Sequence, residues 1–128
     1  MPELPDDRRY TREHEWAREE GGKVTIGITD YAQDQLGDVV FVDLPDPGAD
    51  VSAGRPLGEV ESTKSVSDVY SPISGAVVTK NSKVEKNPEL LNSDPYGEAW
   101  LVVVEPSDGG SLDSLMSADD YRSYIEGL

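Results

Sequence analysis

Residues 60–69 read as a mirror about Lys64-Ser65: Thr63 faces Val66, Ser62 faces Ser67, Glu61 faces Asp68 and Val60 faces Val69. Like residues at matching offsets predict two antiparallel strands joined by a two-residue turn with Lys64 and Ser65 at its centre. The segments flanking this hairpin also resemble one another. Gly37-Asp38-Val39-Val40 leads to Val51-Ser52-Ala53-Gly54-Arg55-Pro56-Leu57, and Gly75-Ala76-Val77-Val78 leads to Val84-Glu85-Lys86-Asn87-Pro88-Glu89-Leu90. In each copy a valine is followed three positions later by Gly54 or Asn87, residue types that tolerate a left-handed backbone. Two copies of a strand–turn–strand unit are too few for a solenoid. They predict a small β sandwich or barrel with pseudo-twofold symmetry, and Lys64 lies on the link between its halves.

A lysine at a turn is ordinarily no more than solvated. A hairpin tip, however, holds its side chain in solvent on a stiff base, which suits a lysine that another enzyme must reach. The 128 residues predict one domain, 1–128, able to bury its own core. With no Cys, disulfides, thiolate metal sites and cysteine nucleophiles are excluded, so any sulfur redox chemistry must come from an attached group. The 26 acidic against 11 basic side chains give a net charge of −15, which repels phosphate backbones and argues against nucleic acid as a partner. The acids are spread along the chain rather than gathered in a tail, so the expectation is a folded, salt-adapted surface whose self-repulsion is screened at high ionic strength. The first ten residues hold no apolar run and no stretch approaches membrane-spanning length, so cytoplasm is expected and no membrane contact.

Along the chain, Tyr10 to Arg18 reads as a strand with His14 and Trp16 on one face and Glu13 and Glu15 on the other. A turn at Gly21-Gly22 returns the chain as a partner strand over 23–28. Thr29 to Gly37 predicts a short helix, capped by Thr29 or Asp30 and ended by Gly37. Strands are predicted over 39–44, near 57–62, over 76–80 and over 100–105, with a loop at 92–97. Ser107 to Leu115 and Ser117 to Ile125 read as terminal helices opened by capping serines, the second with Asp120 in an imperfect capping box. The fold class is therefore mainly β, with short helices in the N-terminal third and at the C-terminus.

No catalytic set assembles from these residues. The single histidine, His14, is expected to pack on Trp16 rather than act as a general base. No serine stands in a nucleophile elbow, and Gly21-Gly22 and Gly109-Gly110 are isolated turn pairs rather than a phosphate-cradling loop. One His without Cys supports no transition-metal site, and no spaced oxygen-ligand loop is present for Ca²⁺ or Mg²⁺. A carrier or binding protein, not an enzyme, is the reading.

Seven segments carry a resemblance: Tyr-Thr-x-Glu-His-Glu-Trp at 10–16, Ile-Gly-Ile-Thr-Asp-Tyr-Ala-Gln at 26–33, Leu-Gly-Asp-Val-Val-Phe-Val at 36–42, Val-Glu-Ser-Thr-Lys at 60–64, Ser-Asp-Val-Tyr-Ser-Pro-Ile-Ser-Gly at 67–75, Asn-Pro-Glu-Leu at 87–90 and Asp-Pro-Tyr-Gly at 94–97. In this order and spacing the chain resembles the H proteins of the glycine cleavage system over essentially its whole length. The resemblance implies the lipoyl/biotinyl-type barrel-sandwich hybrid fold, and lipoate in amide linkage on Lys64. Biotin carriers share that fold but typically set Met on both sides of the lysine, where this chain has Thr63 and Ser65. Lipoyl domains of 2-oxo acid dehydrogenases commonly place Asp before the lysine and usually lack the 10–16 strand and the C-terminal helices.

By the family's mechanism, a pyridoxal-phosphate glycine decarboxylase leaves an aminomethyl group on one lipoyl sulfur. A tetrahydrofolate-dependent aminomethyltransferase takes the carbon, and an FAD-containing dihydrolipoyl dehydrogenase reoxidises the dithiol, passing electrons to NAD⁺. The tether spans roughly 14 Å, about ten bonds. Keeping the cargo amine protonated slows its loss, and the resemblance points to Glu15 and Asp68 as acids of the cleft that holds the loaded arm. Some family members have His where this chain has Gln35. The partners implied are these three enzymes and a lipoyl-attaching enzyme, with the carrier itself a monomer. Two alternatives stand beside this: a lipoyl donor or relay protein in lipoate metabolism outside glycine cleavage, and an unmodified adaptor that uses the hairpin for docking.

Overall fold

The structure, a computed structural model, describes residues 4–107, 112 and 114–128. Among the described residues the strands are β1 (Arg9–Tyr10), β2 (Glu15–Glu20), β3 (Lys23–Ile28), β4 (Val39–Asp43), β5 (Asp50–Val51), β6 (Pro56–Ser62), β7 (Val66–Tyr70), β8 (Gly75–Lys80) and β9 (Val102–Pro106). The helices are α1 (Asp30–Leu36), α2 (Ser82–Lys86), α3 (Leu90–Ser93) and α4 (Ala118–Glu126). The strands form a six-stranded sheet in the order β1-β2-β3-β9-β8-β5 and a three-stranded sheet in the order β4-β6-β7. The expected class, mainly β with short helices, is what folds. The sheets face each other and do not close into a barrel.

Between them lies the main core, in which Ile26, Val60, Val77, Val84, Leu91, Leu101, Val102 and Val104 are buried. At ~1.5–3 kcal/mol for each fully buried large aliphatic side chain, this interior is the principal driving force for the fold. A second cluster gathers Leu4, Tyr10, Trp16, Ala118 and Tyr121 where α4 packs on the N-terminal strands. Tyr10 and Tyr121 stack there at 4.9 Å. Trp16 is fully buried and donates from Nε1 to the Pro95 carbonyl at 3.0 Å. It also needs Gly27 across the ladder, because a Cβ at that position would stand 2.5 Å from the indole.

The internal repeat governs packing, although its copies differ in secondary structure. The first copy supplies β4 and β5, the second β8 and α2. Each copy's later segment crosses to the other: β5 pairs with β8, and α2 packs on β4, so that Val51 and Val84 are both buried. The second copy's strand expectation is overturned. Asn81 caps α2 by accepting from the Lys83 N–H, Lys and Glu favour helix within it, and Pro88 follows its end. Gly54 takes the left-handed backbone at φ +80°, whereas Asn87 sits at φ −130° and closes α2 by donating to the Lys83 carbonyl. The start of the predicted 92–97 loop likewise belongs to α3.

The 10–18 segment is also not one strand. β1 ends at Tyr10, residues 11–14 turn, and β2 pairs back onto β1 with Tyr10 opposite Trp16. The turn is closed by Thr11 N–H donating to the Glu15 carbonyl and His14 N–H donating to the Thr11 carbonyl, with His14 at φ +71°. Strand alternation therefore stops before His14, and Glu13 and Glu15 part company: Glu13 is exposed and Glu15 buried. The predicted 107–115 helix falls largely on residues 108–111 and 113, outside the described residues. α1 and α4 form as expected, capped by the Thr29 and Ser117 hydroxyls.

Candidate functional site

Lys64 stands at the tip of the β6–β7 hairpin, but the register is not the mirrored one. Glu61 pairs with Val66, Val60 with Ser67 and Glu59 with Asp68, so the central turn residues are Thr63 and Lys64 rather than Lys64 and Ser65. The Ser62 side chain supplies an alternative closure. Ser62 N–H donates to the Ser65 carbonyl at 2.8 Å, and the Ser62 hydroxyl accepts from the Lys64 and Ser65 N–H groups, both at 3.2 Å. Thr63 N–H is tied to the Asp38 carbonyl at 3.0 Å, anchoring the tip to the start of β4.

The Lys64 side chain is exposed and lies along Gly37 at the C-terminal end of α1, where a glycine Cβ would be 3.1 Å from Lys64 Cε. Among the described residues Lys64 makes no ion pair. Immediately behind this end of α1, a cavity of about 270 Å³ opens between the sheets. Its apolar wall comes from Ile28, Ala32, Leu36, Val60 and Val69, and its polar groups from the 13–15 turn, Gln35, Ser65, Ser67 and Asp68. The hairpin that carries Lys64 thus also lines the cavity.

Glu15 is the buried acid of this cavity, only 2% exposed. Its Oε1 accepts from the Thr11 hydroxyl at 2.6 Å, and its Oε2 from Tyr70 N–H at 3.2 Å. No cation accompanies it among the described residues, and burial pushes its carboxyl up to about 7, against the smaller opposing effect of the two hydrogen bonds. His14 packs not on Trp16 but at 4.6 Å from the Tyr31 ring, with Nδ1 2.8 Å from the Tyr121 hydroxyl. Burial lowers its affinity for a proton, which favours the neutral ring. Tyr121 in turn bonds the Thr29 hydroxyl at 2.8 Å, so α4, the 11–14 turn and the cap of α1 are locked together beside the cavity. Asp68 is exposed and paired in register with Glu59, on the edge strand of the small sheet. It belongs to the rim, not the floor.

A family model described as glycine cleavage H-protein matches residues 8–127. The chain belongs to the glycine cleavage H-protein family. The glycine cleavage system H protein of Halalkalibacterium halodurans is 53% identical over 125 residues, covering 98% of both chains. That of an Anaeromyxobacter species is 52% identical over 124 residues and 97% of both. A crystal structure of a glycine cleavage system H protein from Mycobacterium marinum superposes with a TM-score of 0.87 at 44% identity, covering 98% of this chain and all of that one.

Within this H-protein fold the structure brings Glu15 and Asp68 to one cavity, and it places Lys64 along Gly37, next to the lining residues Leu36 and Ser65. Sequence reading missed Thr11 and the Tyr70 backbone, which hold the Glu15 carboxylate. The Thr-x-x-x-Glu spacing at 11–15 was the available signal: it fits a tight turn whose first hydroxyl reaches back to the last residue, here also accepting from Glu15 N–H at 3.1 Å.

Proposed function

We propose that Lys64 carries lipoate in amide linkage and that this chain is the lipoylated carrier of the glycine cleavage system. In this role it shuttles an aminomethyl group among glycine decarboxylase, the aminomethyltransferase and dihydrolipoyl dehydrogenase. It acts as a non-catalytic, monomeric single domain over residues 1–128, working in the cytoplasm. The observation that carries the reading is an exposed lysine at a stiff hairpin tip, beside an apolar cavity with one buried acid at its floor.

The residues present fit the group. From Ser65 to Tyr70, whose N–H binds Glu15, β7 spans roughly 17 Å at its ordinary rise per residue. A tether of roughly 14 Å with a small cargo at its end matches that span. Ile28, Ala32, Leu36, Val60 and Val69 would hold the hydrocarbon arm, excluding water from it. When bound, the lipoyl group would supply a disulfide that is opened reductively as it takes up the cargo, is left as a dithiol once the cargo is passed on, and is then reoxidised.

The chain's own contribution is to the cargo's proton. Burial raises the Glu15 carboxyl to about 7, so that near neutral pH it holds a proton part of the time, because an unpaired buried carboxylate is costly. An arriving neutral amine takes up the carboxyl's proton and, as ammonium, pairs with the carboxylate, and Thr11 and Tyr70 keep the oxygens aimed. Burial of His14 disfavours a competing positive charge on its ring. Asp68 at the rim contributes a weaker, solvent-screened attraction.

The test is the intact mass of the protein isolated from its own cells, with the adduct localised by peptide fragmentation. A lipoyl adduct on Lys64, lost in Lys64→Arg, is expected. A protein made in lipoate-replete cells with Lys64 unmodified would overturn the proposal.

A further inference from the structure

Three large apolar side chains crowd the surface beside Lys64: Val40 at 55% exposure, Phe41 at 51% and Val66 at 58%. Their exposure is built into the strand pairing. Val39 pairs with Ser62 and Phe41 with Glu61, which leaves Val40 as the extra residue of a β-bulge. A bulge turns a side chain out of its alternating place, so Val40 and Phe41, neighbours in sequence, both reach solvent. Glu61 in turn pairs with Val66, and directly opposed residues of antiparallel strands share a face. Phe41, Glu61 and Val66 therefore form one row across the outer face of the small sheet, one step below the Ser62–Ser65 closure of the tip. Exposed acids border this row at Asp38, Asp43, Glu59 and Asp68.

We propose that Val40, Phe41 and Val66 form the docking platform for the enzyme that acylates Lys64, a partner with an apolar centre and a basic rim. The inference rests on the lipoyl-carrier reading. Reach selects this partner over the others. An unmodified lysine extends its amine only roughly 6 Å from Cα, so an enzyme acting on that amine must rest on the surface around the tip. Once the arm is attached, roughly 14 Å of tether lets later partners stand away from the sheet. The acids around an apolar centre call for complementary basic groups and disfavour acidic partners. In the step itself, the neutral Lys64 Nζ attacks the carbonyl of an activated lipoyl adenylate. The amide C–N bond forms as the acyl–phosphate bond breaks, AMP leaves with the electron pair, and the amine's proton passes to a base on the enzyme.

The experiment presents unmodified wild type, Phe41→Ser, Val66→Ser and Val78→Ser to a lipoate–protein ligase with lipoate and ATP, and follows mass gain at Lys64. Val78 is an exposed valine on β8, in the other sheet, and serves as the control. All three substitutions are at exposed positions, and unchanged thermal unfolding verifies that they fold. At low carrier concentration the attachment rate is expected to fall about tenfold for Phe41→Ser, through KM, as for truncation of an interface anchor. Val66→Ser falls less and Val78→Ser matches wild type. Equal rates in all four overturn the platform and leave the carrier reading standing, while an unmodified wild type overturns both. After prolonged attachment, lipoylated Phe41→Ser is offered to dihydrolipoyl dehydrogenase. An unchanged rate supports the assignment, and a loss confined to this step overturns it. A dimeric wild type made monomeric by Phe41→Ser also overturns it, because a second copy would then occupy the platform.

Discussion

Glu15→Gln removes a titrating proton from the cavity while keeping the length and shape of the side chain. The amide remains bonded: its carbonyl accepts from Tyr70 N–H and its NH₂ donates to the Thr11 hydroxyl, in place of the carboxyl seen there. The pH dependence of stability, however, changes. In wild type the folded-state value is raised to about 7 from an ordinary 4.5. Below the lower value both folded and unfolded chains hold the proton, and Glu15 costs nothing. As pH rises between the two, the unfolded chain releases its proton while the folded chain keeps it, so stability falls. The loss approaches completion only above about 7. At ~1.4 kcal/mol per pH unit, this interval is worth about 3 kcal/mol. Urea unfolding of wild type and Glu15→Gln from pH 4.5 to 8 reads it directly, since subtracting one protein from the other cancels the remaining acids. The variant is expected to gain on wild type by about 3 kcal/mol across the window, nearly all before pH 7.5. A difference that stays flat, or that runs the other way, refutes the picture of an unpaired acid held neutral by burial.

The same carboxylate is expected to matter when the arm is loaded. Protein carrying the aminomethyl cargo should lose it about tenfold faster in Glu15→Ala, the equivalent of one charge-assisted hydrogen bond. Exposed Asp68→Asn should change the lifetime by roughly twofold at most, and equal lifetimes for wild type and Glu15→Ala would exclude a role in holding cargo. Salt adaptation and the single domain are tested together by calorimetry. One cooperative transition is expected, with Tm rising by at least ~4 °C between 0.1 and 2 M KCl as the repulsion among 26 acids is screened. An unchanged Tm removes the salt argument, and two transitions remove the single domain.

Local signals were legible where the chemistry that decides them lies within a few residues. Thr29 and Gly37 bracket α1, and Ser117 opens α4, because a cap needs only a hydroxyl and the next turn's N–H groups. Gly21-Gly22 turns β2 into β3 with both residues at positive φ. The hairpin was found, but its register was not. Symmetry of side-chain type favoured one pairing, and the Ser62 hydroxyl, bonding two N–H groups of the tip, selected the other. The second repeat was misread as a strand because valine spacing is shared, while its cap at Asn81 and its Lys and Glu content favour α2.

The fold class, the internal repeat, the family resemblance and the lysine near the tip were legible in the sequence alone. These depend on apolar pattern, turn residues and motif order, all of which are written in one dimension. Tertiary structure alone decided what surrounds that lysine. Burial of Glu15 depends on the 11–14 turn, Tyr70 and the facing sheet, which meet only after folding. The apolar row of Phe41 and Val66 depends on register and on the Val40 bulge. A side chain's proton affinity and its exposure are properties of neighbours, and the neighbours of Glu15 and Lys64 come from distant parts of the chain.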